Sequence, residues 1–498
     1  MAREVKRVVK ILGPGFITGA SDDDPSGIGT YAIAGASLGL TTLWTASLTF
    51  PFMAAVQNIC GRIGMVAGVG LAGVLRERTV RPILYSAVAL LAIANTINVG
   101  ADLGAIADAI HLVTGIPAVW LIVPVAAAIL AFQIFGSYRL IANVFKWLTL
   151  ALLAYVADAL IVHPDLGATL RATVVPTLSL ERAYVTTVVA ILGTAISPYL
   201  FFWQSSQEVE KEFEHGRRTP RARRGASPAE IRYGTLDVNI GMAFSNLVMY
   251  FIILATAVTL VAHGKTDISS AADAAEALRP IAGDLAGVTF AIGMVGAGVL
   301  AVPILSGSAA YAVAETFGWT YGLAAKCWRA RPFYAVIVAS TVVGMVLSFT
   351  GIASIDGLYW TAVLNGVVAP PLLVLVMLAA RDPKVMGKQT IGPALTVLGW
   401  FATVAMSLAL VVLAYDALTR WRRTPAPPDT AARPDLTRSG DRRSPLTRCP
   451  VRHAHAPLPR GRDGRCRARA RLGHAGERRR SRGAARYGDR EGARVVPG

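Results

Sequence analysis

Charged residues are scarce in this sequence: only 16% of its 498 residues are Asp, Glu, Lys or Arg, whereas 54% are hydrophobic. A soluble domain contains about 25% charged residues, so this composition excludes an ordinary soluble protein and favours a membrane protein. Cysteine is scarce as well. The four cysteines have no metal-site spacing and imply no disulfide framework; they are Cys60, Cys327, Cys449 and Cys466.

The positive charge of the chain lies almost entirely in its C-terminal tail. From Ala417 onward there are 22 Arg and no Lys against five Asp and two Glu, so the tail carries +15 of the net charge of +18. The segment is rich in Arg, Pro, Gly and Ala and cannot bury a core, so we predict that residues 417–498 are disordered. Because it lacks Lys and interleaved aromatic residues, we expect no specific nucleic-acid partner.

Long apolar runs account for the low charge of the rest of the chain. A membrane-spanning helix needs roughly 20 mostly apolar residues. The sequence therefore predicts an all-α polytopic membrane protein with a cytoplasmic N-terminus at 1–10 and a transmembrane domain at 11–416. The eleven predicted spans are about 11–36, 40–60, 83–110, 117–135, 140–162, 183–207, 238–263, 285–314, 332–352, 357–380 and 393–415.

Basic residues concentrate in alternate short loops, and such loops usually face the cytoplasm. The intervening loops are short or carry mixed charge. We therefore predict a multi-pass protein of the plasma membrane with its N-terminus inside. The basic segments are the N-terminus and residues 61–82, 139–146, 208–236, 326–331 and 381–388.

Two predicted spans are interrupted in the same way. The first contains "DDDPSG" at 22–27 and the sixth contains "TAISPYL" at 194–200, and proline breaks a helix because it lacks a backbone donor. The breaks lie five spans apart, so the second unit would cross the membrane in the opposite sense. This predicts a 5+5 inverted repeat with discontinuous helices 1 and 6, as in the amino-acid/sodium symporter-like fold. The alternative is a pair of ordinary proline kinks.

The first break also contains three consecutive carboxylates, Asp22, Asp23 and Asp24. Each Asp at the centre of a membrane helix costs about 2.5–3.5 kcal/mol, so a packing role is excluded and they must face water, a cation or one another. Carboxylates with carbonyls freed by unwound backbone suit hard divalent cations. We predict that Asp24 binds the metal and that Asp22 and Asp23 form an electrostatic funnel. The alternative for these two is a solvated vestibule with protonated carboxyl groups.

At these residues the sequence resembles the NRAMP family of divalent metal transporters. "DPSG" at 24–27 resembles the family's Asp-Pro-Gly-Asn motif, and "SPY" at 197–199 falls where the family has Met-Pro-His. The longer stretches "GPGFITGASDDDPSGIGTYAIAGASLGL" and "TAISPYLFFWQSSQEVEKE" are more similar still to the NRAMP-related magnesium/manganese branch. The resemblance covers roughly residues 10–416 and implies that the cation is a substrate rather than a bound cofactor.

The departures from the family motif bear on which metal is bound. The family's metal-binding Asn is here Gly27, its Met thioether is Ser197, and the residue whose carbonyl would coordinate is Thr194. Thioethers favour softer transition metals, whereas oxygen ligands favour Mg, Ca and Mn. The resemblance therefore implies an all-oxygen site that holds a partly hydrated cation, as Mg²⁺ prefers. The alternative for Ser197 is that its hydroxyl only satisfies the backbone at the break.

This sequence has fewer titratable residues that could couple proton movement to transport than the family motifs contain. "DLGA" at 102–105 resembles the family's Asp-Leu-Ala-Glu segment, keeping Asp102 and replacing the Glu by Ala105. The motif His is Tyr199, which does not titrate near neutral pH, so we expect little or no coupled proton. Asn365 is a weaker candidate for the pathway, with interhelical hydrogen bonding as its alternative.

These observations favour a transporter over an enzyme. We expect inward movement of Mn²⁺ and/or Mg²⁺ by alternating access, with the lipid bilayer as surroundings, no cofactor and no obligate protein partner. Two alternatives stay open: an ordinary proton-coupled Mn²⁺/Fe²⁺ symporter, and a sodium-coupled amino-acid transporter of the same fold. Three aspartates at the first break argue against the second alternative, since an amino-acid carboxylate is an anion.

Overall fold

The computed structural model describes residues 13–136, 164–262, 268, 274–275, 286–352 and 355–421. Within these ranges the regular elements are helices, joined by a 3₁₀ turn at Gly39–Thr42 and a π turn at Ser348–Ile352. The α-helices are α1 (Pro14–Asp22), α2 (Pro25–Leu38), α3 (Trp44–Ala67), α4 (Leu71–Arg78), α5 (Arg81–Thr114), α6 (Ala118–Phe135), α7 (Leu166–Val174), α8 (Arg182–Ala195), α9 (Pro198–Glu214), α10 (Pro220–Arg223), α11 (Pro228–Ala262), α12 (Ala286–Phe317), α13 (Arg331–Leu347), α14 (Ile355–Arg381), α15 (Pro383–Met386) and α16 (Pro393–Trp421).

The helices confirm an all-α polytopic membrane protein. In the part of the chain that the structure describes, eight helices are long and apolar enough to cross a membrane, with α8 and α9 together forming one of them. A ninth candidate joins Pro25–Thr42 to Trp44–Ala67, which are bent by 109°. Because of this bend, α2 and α3 do not form one straight transmembrane helix.

Eight of the predicted spans coincide with the eight spanning helices, whereas the two predicted at 11–36 and 40–60 overlap the bent pair, which supplies at most one further candidate. In position along the chain, ten of the eleven predicted spans overlap a described helix or, at the two breaks, a pair of half-helices. The eleventh, predicted at 140–162, lies outside the described residues. The last helix ends at Trp421, so residues 417–421 are helical although we predicted a disordered tail from 417. The rest of the predicted tail lies outside the described residues.

Both predicted helix breaks are present, and their backbones are alike. In the first break Asp23 (φ −85°, ψ 57°) ends α1, and the extended Asp24 (φ −69°, ψ 169°) precedes the proline that starts α2. In the second, Ile196 (φ −122°, ψ 55°) ends α8, and the extended Ser197 (φ −68°, ψ 127°) again precedes a proline. The proline fixes where each second half begins, because its missing N–H is not needed at the first helical position.

Glycines bring α1 into backbone contact with α11. A Cβ atom on Gly15 would lie 2.5 Å from the Val238 nitrogen, and one on Gly19 would lie 2.2 Å from the Gly241 carbonyl oxygen. Gly15 and Gly19 are four residues apart and so share one face of the helix, which is the small-xxx-small arrangement of close membrane-helix pairs. The half-helix before the first break is therefore held against α11 through its backbone.

A buried carboxylate on α11 caps the start of α1. The side chain of Asp237 accepts hydrogen bonds from the backbone nitrogens of Gly13 (2.7 Å), Gly15 (2.8 Å) and Phe16 (3.2 Å). These are N–H groups that have no partner within the helix, and the negative charge also suits the positive end of the helix dipole. A short helix of nine residues is thereby stabilised at its free end.

We predict that Asp237→Ala lowers the stability of the folded protein by about 2 kcal/mol, the upper end for loss of a helix cap. The measurement is thermal unfolding in detergent. Asp165→Ala is the matched control, because Asp165 caps the exposed helix α7 through Gly167 and Ala168. The loss of stability on this substitution should be smaller. Equal effects of the two substitutions would contradict the role assigned to Asp237.

Candidate metal centre

Asp24 stands at the first break with its two carboxylate oxygens in different surroundings. Oδ1 accepts hydrogen bonds from the Ser26 hydroxyl (2.6 Å) and the Gly27 nitrogen (2.7 Å), so it caps α2. Oδ2 lies 3.4 Å from the Tyr199 hydroxyl. The residue is fully buried. Oδ1 therefore stabilises the start of α2, while Oδ2 faces the second broken span.

Tyr199 joins the two broken spans. Its hydroxyl donates to the carbonyl oxygen of Ser21 at 2.7 Å, and because a phenol has one proton, the longer contact to Asp24 Oδ2 is the weaker one. The Ser308 hydroxyl of α12 donates to the Tyr199 carbonyl at 2.6 Å. Tyr199 therefore connects the last turn of α1 to the first turn of α9.

Ser197 uses its hydroxyl proton on the backbone of its own break. Oγ donates to the carbonyl oxygen of Thr194 at 2.6 Å and lies 3.2 Å from that of Gly193. These carbonyls belong to the last turn of α8, where no intrahelical donor remains for them. The backbone role that the sequence left as an alternative is present in the structure. A ligand role for the lone pairs of Ser197 and for the Thr194 carbonyl stays a prediction.

Gly27 lies where the two breaks touch. A Cβ atom on Gly27 would stand 2.8 Å from Thr194 Oγ1 and 3.4 Å from Asp24 Oδ1. Thr194 Oγ1 is buried, and the side chain of Tyr31 interacts with it. The absence of a side chain at Gly27 is therefore what lets the broken spans approach each other beside Asp24.

We predict that Gly27→Ala lowers stability by about 1–3 kcal/mol, the usual cost of overpacking. The added methyl group contacts Thr194 Oγ1 too closely, so removing that atom in the double variant Gly27→Ala/Thr194→Ala should recover at least half of the loss. Thermal unfolding of the four proteins of this double-mutant cycle measures it. Additive effects of the two substitutions would show that the contact is not responsible.

The other predicted site residues are buried. Asp22, Asp23, Asp102 and Asn365 are each 0% exposed, so in this conformation none of them lines a solvent-open vestibule. Asp22 Oδ2 accepts from the Ser245 hydroxyl of α11 at 3.2 Å. Asp22 Oδ1 and the side-chain amide atoms of Asn365 have no hydrogen-bond partner among the described residues, whereas the Ser26 nitrogen interacts with Asp102 and the Ser245 hydroxyl with Asp23. Their roles in transport stay predictions.

Sequence reasoning missed several polar residues that complete the site. Ser26 and Ser245 donate to the carboxylates of Asp24 and Asp22, and the fully buried Tyr31 interacts with the Thr194 side chain and with the carboxyl groups of Asp23 and Asp22. The signal that could have found Ser245 is the adjacent polar pair that it forms with Asn246 within the apolar run of α11.

The ligands that this arrangement offers to a cation are oxygens from several elements. Among the described residues no three His, Cys, Asp or Glu side chains converge closely enough to hold a metal ion. A cation at Asp24 must therefore also use hydroxyl or carbonyl oxygens, or keep bound water. Such a mixed oxygen set is chemically suited to hard cations rather than to soft ones.

Comparison with solved structures supports the same fold. The manganese transporter of Eremococcus coleocola, in complex with an aromatic bis-isothiourea substituted compound, is similar with a TM-score of 0.66 and 16% identity, over 84% of this chain and 88% of that chain. Mhp1, a nucleobase-cation-symport-1 family transporter in a closed conformation, has a TM-score of 0.52 and 14% identity, over 82% and 93% of the two chains. At these identities the likeness concerns the fold alone.

Curated relatives cover most of the chain. The divalent metal cation transporter MntH of Deinococcus radiodurans is 26% identical over 438 residues, which cover 84% of this chain and 91% of the relative. That of Mesorhizobium japonicum is 24% identical over 427 residues, covering 83% and 90%. The model of the natural resistance-associated macrophage protein-like (Nramp) family matches residues 15–416. The chain therefore belongs to the NRAMP family.

Proposed function

We propose that this chain is a divalent metal cation transporter of the plasma membrane that moves Mn²⁺ and/or Mg²⁺ inward through an all-oxygen site between the two breaks. One observation carries the proposal: the second carboxylate oxygen of Asp24, fully buried, faces the second break within 3.4 Å of Tyr199. A buried carboxylate without a basic partner is suited to a cation. The family membership and the names of the curated relatives support the same assignment.

In the proposed site Asp24 supplies the anionic ligand, and the Ser197 hydroxyl and the Thr194 carbonyl supply further oxygens. Gly27 supplies no side-chain oxygen where the family has Asn, so in the proposed site bound water would complete the coordination of the cation, as Mg²⁺ prefers. Asp22, Asp23, Asp102, Tyr199 and Asn365 surround the site in the roles of vestibule or coupling residues.

Alternating access would require α1 to separate from its neighbours. With the N-terminus in the cytoplasm, α1 forms the inner half of the first broken span. Its contacts with α11 are the Asp237 cap, the glycine contacts and the hydrogen bond from Ser245 to Asp22. Its contacts with α9 include the hydrogen bonds from Thr18 to Gln204 Oε1 at 2.5 Å and from Tyr199 to the Ser21 carbonyl. Breaking these contacts would open a path from Asp24 past Gln204 and Glu208, which are themselves hydrogen-bonded at 3.2 Å.

The test is a flux assay in liposomes containing the purified full chain, with Mg²⁺, Mn²⁺, Ca²⁺ or Cd²⁺ outside and a pH indicator inside. We expect saturable uptake of Mn²⁺ and Mg²⁺ without acidification of the interior. Uptake of Mn²⁺ with acidification would identify an ordinary proton-coupled symporter. Absence of any cation flux, together with sodium-dependent uptake of an amino acid, would overturn the assignment.

A further inference from the structure

The segment at residues 166–180 exposes large apolar side chains, although it is too short to cross a membrane. Helix α7 has nine residues and is therefore about 14 Å long, whereas the hydrocarbon core of a bilayer is about 30 Å thick. Six apolar side chains of the segment expose between 52% and 96% of their surface: Leu166, Leu170, Val174, Val175, Leu178 and Leu180. Exposed apolar surface of this extent marks an interaction site.

Helix α7 turns polar side chains toward the protein and apolar side chains away from it. Thr169 is buried, and the Thr173 hydroxyl forms a hydrogen bond with α11 at 3.0 Å. The exposed Leu166, Leu170 and Val174 follow one another at intervals of four residues, so they form one stripe along the helix. A helix on the surface of a soluble protein has the opposite arrangement, with its apolar stripe on the core. The surroundings of this stripe are therefore apolar.

The remaining side of α7 carries small and charged residues. Ala168 and Arg171 are both exposed. Ala168 is two residues from Leu166 and from Leu170, so it lies on the opposite side of the helix from the apolar stripe. A helix with an apolar side and a basic side is suited to the surface of a bilayer, where leucines reach the acyl chains and arginine reaches the phosphate groups.

The start of α8 places this segment at the edge of the hydrocarbon core. The Tyr184 hydroxyl donates to the Thr177 carbonyl oxygen, and Trp44 Nε1 donates to the Tyr184 hydroxyl at 2.9 Å. Tyr184 precedes Ile196 at the second break by twelve residues, which is about 18 Å of helix. Breaks of this kind lie near the midplane of the membrane, about 15 Å from either edge of the core. Tyr and Trp are enriched at that edge.

The exposed apolar surface continues from α7 onto neighbouring helices. The Ser47 hydroxyl of α3 donates to the Thr173 carbonyl at 3.2 Å, and the hydroxyl that Thr173 contacts on α11 is that of Tyr250. Leu48 follows Ser47, Leu247 lies one turn before Tyr250, and both are exposed. The apolar surface of α7 is therefore continuous with the surface that α3 and α11 present to lipid.

From these contacts we propose that α7 and residues 175–180 lie in the interface of the bilayer, with their apolar side chains among the acyl chains and Arg171 at the phosphate groups. The partner is a lipid surface, and in the proposed orientation it is that of the non-cytoplasmic leaflet. Lipid would thereby hold the segment that leads into α8, the first half of the second broken span. The inference goes beyond the proposed function and does not depend on which solute is transported.

The experiment measures the depth of spin labels on the full chain in liposomes. Leu170→Cys and Ala168→Cys are labelled with a nitroxide in a chain whose Cys327, Cys449 and Cys466 are replaced by serine, and the fully buried Cys60 stays unlabelled. Collisions with O₂, which partitions into lipid, and with a water-soluble nickel chelate are measured by electron paramagnetic resonance. We expect the ratio of O₂ to nickel collisions to be at least about fivefold higher at position 170 than at position 168.

Equal collision ratios at the two positions would show that water covers the apolar stripe, and this would overturn the proposal. Low collision rates with both reagents at position 170 would also overturn it, because protein would then cover the stripe. Dipolar broadening of the spectrum would identify that protein as a second copy of the chain. Should Leu170→Cys fail to fold, labels at Leu166 and Val174 keep the test decisive, since both share the stripe. The absence of cation flux would refute the proposed function and leave this result unchanged.

Discussion

Asp24→Ala is expected to reduce saturable uptake of Mn²⁺ or Mg²⁺ to the level of protein-free liposomes while the protein stays folded. The substitution removes the carboxylate oxygen that faces the second break and, with it, the main anionic ligand proposed for the cation. It also removes the cap of α2, because Oδ1 accepts from the Gly27 nitrogen. Loss of a cap costs about 1 kcal/mol, which is small against the stability of a folded domain.

Asp24→Asn separates the two contributions of this side chain. The amide oxygen can still accept from the Gly27 nitrogen, so the cap is kept while the charge is lost. Both variants should abolish uptake, and only the Ala variant should lower the midpoint of thermal unfolding. The half-buried Asp108→Asn serves as the control for a carboxylate lost elsewhere in the membrane. Near-normal uptake by Asp24→Ala would refute the assignment and move the anionic ligand to Asp22 or Asp23.

The breaks could be predicted from the sequence because their causes are local. Pro25 and Pro198 set where the second half-helix of each broken span begins, independently of tertiary contacts. A carboxylate in an apolar span indicates a functional site such as a cation or proton pathway. Because the two breaks lie five spans apart, they also predicted the 5+5 inverted repeat. The structure confirmed the two broken helices, and the family match confirmed the resemblance on which Gly27, Thr194 and Ser197 were chosen.

The contacts between the breaks could not be predicted, because they depend on residues that are distant in sequence. Nothing in the sequence pairs Asp237 with the start of α1, 222 residues away, or Tyr199 with Ser21. Gly27 was interpreted as the loss of a ligand, whereas the structure shows that it also allows Thr194 to approach. Such effects follow from packing, and packing is set by the crossing of helices rather than by the local pattern.

Ser197→Met is expected to raise the affinity for Cd²⁺ by about tenfold or more and to lower uptake of Mg²⁺, because a soft thioether ligand favours softer metals. Ser197 is fully buried and its hydroxyl donates to the Thr194 carbonyl. The substitution therefore adds sulfur, frees that carbonyl, and removes space that a hydrated cation needs. Competition of Cd²⁺ with Mn²⁺ uptake in liposomes measures the change.

Ser197→Ala distinguishes the added sulfur from the lost hydroxyl. It frees the same carbonyl without supplying a thioether, so it should leave Cd²⁺ a weak competitor. An equal gain in Cd²⁺ affinity in both variants would assign the effect to the backbone rather than to the ligand. If the wild type already preferred Cd²⁺ over Mg²⁺ and acidified the vesicle during uptake, the all-oxygen site would be wrong. The chain would then select transition metals and couple them to protons although it has neither the Met nor the His of the family motif.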